Sequence, residues 1–154
     1  MVKISLPESV KIARVELPLD LALSGSPFPV NMGHDEIMVL LSLYCTWEMT
    51  ATAGYDIVRF GLWRKSDTDP VAMRTDHTDM IWETSDVRLF VTESMAFSSR
   101  EHIVFPHPLV LIRPPRLVGL RVQTAGAHVD MRLYHIIRKV SSDELAKLMV
   151  KDHA

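Results

Sequence analysis

The chain has 154 residues, 47% of them apolar and 23% charged, with a formal net charge of -2. That length suits one domain whose core needs no disulfide or metal, and the composition excludes wholesale disorder. Only Lys3, Lys11 and Arg14 are basic among the first fifteen residues, which excludes a polycationic arm that holds nucleic acid by its phosphates.

Residues 1–8 read as a flexible arm and residues 8–17 as a first strand, with Ala13, Val15 and Leu17 alternating against Ile12, Arg14 and Glu16. Pro18 is expected to break that strand. Residues 18–35 then form a long connection punctuated by Ser24, Gly25, Ser26, Pro27, Pro29, Asn31 and Gly33, with Leu21 to Leu23 as a brief paired piece. The clearest element is 36–50. Ile37, Val39, Leu41, Leu43, Cys45, Trp47 and Met49 fall at every second position, a period that a helix cannot match. Gly54 marks a turn, and Tyr55 to Arg64 read as the hairpin partner, with Val58, Phe60 and Leu62 on one face.

Residues 71–74 and 79–83 are short, partly apolar pieces around a polar tip, Thr75 to Thr78. Residues 86–93 alternate again. The apolar pieces 103–105 and 109–112 are split by Pro106 and Pro108, which predicts a bend or a move between sheets. Leu117 to Thr124 form a strand, and Ala125 to Ala127 turn the chain. Val129, Met131, Leu133, His135 and Ile137 mark a last long strand. Ser141 followed by Glu144 is a capping-box pattern and opens a short helix within 141–151, with Leu145, Leu148 and Met149 on one face. A helix of that length is unstable alone and must dock on its own sheet or on a neighbour.

About eight strands without βαβ alternation predict an all-β fold. The expected architecture is an antiparallel β-sandwich, in its jelly-roll version, with a short C-terminal helix and one domain over 1–154. No N-terminal stretch has the form of a signal peptide, and no run of about 18 apolar residues exists, so no membrane span is expected. Asn31 lies outside any glycosylation acceptor pattern.

Chemistry-bearing patterns are sparse. The seven histidines include no His-x-His pair, which on a strand would place two ligands on one face. Asp76, His77 and Asp79 form the densest ligand-like cluster, in a polar turn that favours Asp for its geometry alone. His102 and His107 straddle the proline break. No Gly-x-Ser-x-Gly elbow and no phosphate-cradling glycine motif occurs. Cys45, the lone cysteine, lies among apolar residues, which makes it a buried thiol and a poor nucleophile. Glu48 lies near Tyr44 and Trp47 and reads as a polar-face carboxylate pointing at water or at an arginine. Trp63 and Trp82 are the residues that could form an exposed platform for a carbohydrate or receptor, while Trp47 faces the core.

The final strand carries Arg132-Leu133-Tyr134 and Arg138-Lys139-Val140 and runs straight into Ser141 and the helix. Together with the charged opening strand Ile12 to Leu17, this resembles small single-domain jelly-roll coat proteins of viruses. The resemblance covers about a quarter of the chain and implies self-assembly into a symmetric shell, without catalysis or cofactor. It places the chain in a virion made in the host cytoplasm, with copies of itself and other virion proteins as partners. The missing basic arm departs from many small RNA-virus coats and counts against direct genome binding. Contacts are then expected at the arm through Glu8, the loop ending at Asp35, and Leu145, Leu148 and Met149 of the helix. Nine methionines and the apolar pieces at 103–112 fit adaptable contact surfaces. Two other readings are a carbohydrate- or receptor-binding sandwich using Trp63 and Trp82, and a cupin-like metal enzyme using Asp76, His77 and Asp79.

Overall fold

The protein is described from a computed structural model over residues 9–64, 79–84 and 87–153. Among these residues nine strands form: β1 (Lys11–Leu19), β2 (Ser24–Pro27), β3 (Glu36–Ala51), β4 (Gly54–Trp63), β5 (Met80–Glu83), β6 (Val87–Val91), β7 (Met95–Leu111), β8 (Arg116–Val122) and β9 (Gly126–Lys139). One helix follows, α1 (Ser142–His153).

The pairing is antiparallel throughout and has a simple logic. β1 pairs β9, β2 pairs β8, β3 pairs β7, and β4 pairs both β5 and β6. The chain is therefore one long ribbon folded back at β4–β5–β6, with β1–β4 as one arm and the remaining strands as its return. Rolled up, alternate ribbon segments fall into two sheets, ordered β1-β9-β3-β7 and β2-β8-β4-β5, with β6 also on β4. This is the jelly-roll arrangement that the sequence predicts. The ninth strand arises because two short pieces, β5 and β6, share β4.

The core lies between the sheets. Leu43, Cys45, Met131 and Leu133 of the first sheet meet Val58, Phe60, Leu62 and Leu117 of the second, all fully buried. Each such side chain contributes roughly 1.5–3 kcal/mol relative to exposure. Trp47 packs beside Phe60 and Phe97, with ring centroids 6.3 and 5.4 Å away.

Several expectations are corrected. β3 and β4 are not a hairpin. The two-residue link Thr52–Ala53 carries the chain across to the opposite sheet, and β3 pairs β7 and β9 instead. Thr52 makes this crossing stable: its backbone N–H and hydroxyl both donate to Oδ1 of the buried Asp56 at 3.1 Å. Gly54 sits at φ 115°, which favours glycine. Pro18 does not end β1. It lies inside the strand opposite His128, tolerated because among the described residues β1 is a sheet edge bonded to β9 alone. In the 18–35 connection the paired piece is Ser24–Pro27, on β8, rather than Leu21 to Leu23. Pro106 and Pro108 do not move the chain between sheets. β7 runs through them as one strand of 17 residues, with a bulge in which Phe105 to Pro108 face the single residue Leu41.

The bulge also breaks the alternation expected for β3. On the β9 side, Leu40 pairs His135 and Ser42 pairs Tyr134, so Leu41 is an extra residue. An extra residue reverses which face the following side chains take. Met38 and Leu40 precede it in the core and Leu43 and Cys45 follow it there, while Leu41 leaves the core face.

Candidate interaction surface

The outer face of the first sheet is built in rows that cross all four strands. Strand register places Ile12, Tyr134, Ser42 and Val104 in one row. The next row holds Arg14, Arg132, Tyr44 and His102, and the third holds Glu16, Asp130, Thr46 and Arg100. The fourth holds Pro18, His128, Glu48 and Ser98.

The first row, with the Tyr44 and His102 end of the second, carries an apolar patch. Ile12 is 60% exposed and Val104 64% exposed, with Val10 and Val110 also open to solvent. Leu41, turned outward by the bulge, joins Val10, Tyr44, His102 and Tyr134 around a shallow depression of about 410 Å³. The Tyr44 and His102 rings meet edge to face, with centroids 6.1 Å apart. The proline pieces at 103–112 are therefore not covered on both faces. They belong to an edge strand, and the outward members of that strand stay bare.

The third and fourth rows are charged. Arg14 Nε donates to both carboxylate oxygens of Asp130 at 3.0 Å, and Arg14 also contacts Glu16. Hydrogen bonding to Arg14 holds the Asp130 carboxyl below the usual carboxylate range, and Asp130 in turn raises Arg14. Glu48 pairs His128 at 3.2 Å, so its partner is an imidazole rather than water alone. Glu48 and His128 line an open groove of about 550 Å³ with Pro18, Ser98 and Gly126.

The residues singled out in the sequence scatter rather than converge. Trp63 is 2% exposed and forms no platform. Alternation places it on the outer side of the second sheet, but Val118 on the same face and Met80, Leu23 and Leu120 pack against it there. Trp82 is half-buried and turns toward Phe60, 6.0 Å between ring centroids. Asp76 and His77 lie outside the described residues. Asp79 is half-buried, and its backbone carbonyl accepts a hydrogen bond from Arg64 N at 2.8 Å. Among the described residues no three His, Cys, Asp or Glu side chains gather as a metal would require. No described helix is long and apolar enough to cross a membrane.

The expected contact residues fare unevenly. Glu8 lies outside the described residues. The backbone carbonyl of Asp35 accepts from Val140 N at 2.9 Å and closes the end of β9. Much of the loop before it is likewise framework, because β2 is part of the second sheet and Phe28 is buried. α1 is capped as expected, with Glu144 N donating to Ser141 Oγ at 3.2 Å, and runs to His153. Leu145 and Leu148 are half-buried, whereas Met149 and Val150 are exposed. The outer patch was missed in the sequence because its members come from four strands. The only local signal was the proline-split apolar piece at 103–112.

No known family model matches the chain, and no curated protein matches it.

Proposed function

We propose that this chain is a structural subunit that assembles with copies of itself, as the coat protein of a virion formed in the host cytoplasm. One observation carries the reading: the outer face of the first sheet leaves Val10, Ile12, Val104 and Val110 exposed around a tyrosine- and leucine-lined depression. Contiguous apolar surface of this kind marks a contact site more often than it marks chance exposure. The exposed Met149 and Val150 of α1 add a second uncovered apolar area. The jelly roll is used by coat proteins and also by unrelated ligand-binding proteins, so the fold alone does not choose between them. The choice rests on the patch.

Light scattering after size exclusion, with negative-stain images of the same fractions, tests the proposal. Closed assemblies of many copies are expected. A monomer near 17.5 kDa at every concentration rejects it.

A further inference from the structure

We infer that copies join head to tail by sheet extension, with β1 of one copy adding as a fifth strand along the free edge of β7 in the next. The inference deepens the assembly reading above and rests on it.

The two edges of the first sheet are unlike. Among the described residues β1 is bonded only to β9, and β7 only to β3. Among these residues neither edge has a strand beside it, so each presents backbone N–H and C=O groups, the usual template for pairing with another chain, although in β1 Pro18 lacks its N–H and Leu19 O already accepts from Arg121 Nε. The edge of β7 is closed at one end: beyond Val104 the bulge at 105–108 disrupts the ladder, and Pro106 and Pro108 lack N–H groups. What remains regular is 95–104, ten residues by the printed register, against the nine residues of β1. The lengths match.

Direction matches too. Strands alternate up and down across β1-β9-β3-β7, so a β1 placed next to β7 in the same sense as its own sheet is antiparallel to it. Continuing the existing rows sets the register. Ile12 of the incoming copy falls beside Val104, two side chains that are each more than half exposed in the single copy. Glu16 falls beside Arg100, joining opposite charges. Arg14 falls beside His102, its guanidinium already turned to Asp130 and Glu16. On the inner face the same register puts Ala13 beside Ile103 and Leu17 beside Ser99. Pairing of β7 with its own copy fits less well. The two same-face registers nearest the middle of 95–104 set Arg100 against Arg100, or Ser99 against Ser99 with Arg100 beside Ser98; the first opposes like charges and neither joins opposite ones.

Such an interface uses two different surfaces, so it propagates around a ring when the rotation closes and along a filament when it does not. The apolar patch is thereby continued across the joint, from Val104 of one copy to Ile12 of the next.

Charge swapping on the full-length chain tests this. Arg100→Glu and Glu16→Arg are each expected to weaken assembly about tenfold, read as the concentration at which light scattering reports half-dissociation. The double variant Arg100→Glu/Glu16→Arg restores it to within about threefold. Circular dichroism of the dissociated fractions confirms that each variant is folded. If both single variants assemble like the parent, sheet extension is wrong while the assembly reading stands. If Glu16→Arg alone weakens assembly, β1 pairs with another β1 about a two-fold axis, and the inference fails. Failure of the double variant to recover also overturns it. A parent chain that stays monomeric removes both the inference and the reading beneath it.

Discussion

At the scale of single residues, two buried groups set how the molecule responds to pH. Cys45 is fully buried on the inner face of β3, and burial, with a smaller effect from Glu101, pushes its thiol up to about 12 from 9.0. The unfolded chain releases that proton first. Stability from the protonated thiol is thus complete below about pH 9 and is lost as pH rises toward about 12. A thiol reagent at pH 8 is expected to leave folded protein unlabelled and to label it fully in denaturant; rapid labelling of the folded form would show that the thiol is open. His135 works in the opposite direction. It is buried, its Nδ1 lies 3.2 Å from Leu133 O, and desolvation lowers its affinity for a proton, with Lys11 opposing charge as well. The unfolded imidazole takes up a proton below about 6.5 and the folded one resists, so its contribution is present above that pH and lost as pH falls. Urea midpoints of His135→Leu should depend less on pH between about 7 and 5 than those of the parent. Equal slopes would mean that another group carries the acid response.

At the scale of elements, the crossing between β3 and β4 is the most sensitive joint. A Cβ at Gly54 lies 2.4 Å from Gln123 Nε2, and the backbone there holds φ 115°. Gly54→Ala should cost about 1–2 kcal/mol in chemical unfolding, since a side chain must accept the strained backbone and displace Gln123. A neutral result would mean that the crossing relaxes freely. Gly119 marks a different constraint: a Cβ there meets Leu19 Cδ2 at 2.7 Å and Arg59 O at 2.9 Å, where the two sheets approach closely. These joints explain what the sequence revealed and what it hid. Alternation along 36–50 and 129–137 exposed the long strands, because one face of each is buried and the period of two survives in the side chains. Alternation could not tell that β3 and β4 lie in different sheets, since a two-residue link serves a hairpin and a crossing alike. Nor could it show the bulge at Leu41, because an apolar residue at every second position reads the same whether or not the phase slips. Trp63 failed for a related reason: parity gave its face correctly, but Met80 and Leu23, distant in sequence, cover that face.

At the scale of the whole molecule, the jelly roll leaves one sheet with two unlike ends and a bare outer face. The sequence pointed to that architecture through strand number and the missing βαβ rhythm. The patch itself required the rows to be assembled from β1, β9, β3 and β7, four segments spread over more than a hundred residues. Val104→Lys, which places a charge in the apolar row, is expected to leave the unfolding midpoint within about 0.5 kcal/mol and to raise the concentration needed for assembly. A loss of fold instead would mean that Val104 supports the sandwich from outside.

The unlike edges also confer a polarity. If copies join by sheet extension, a copy that offers β1 has its own β7 still open, so until a ring closes growth would have a leading and a trailing end, as in a chain of hooks and eyes. A short synthetic strand with the sequence of Lys11–Leu19 would then act as a stopper: it can occupy the eye of β7 but carries no eye of its own. At substoichiometric amounts it would shorten assemblies rather than prevent them.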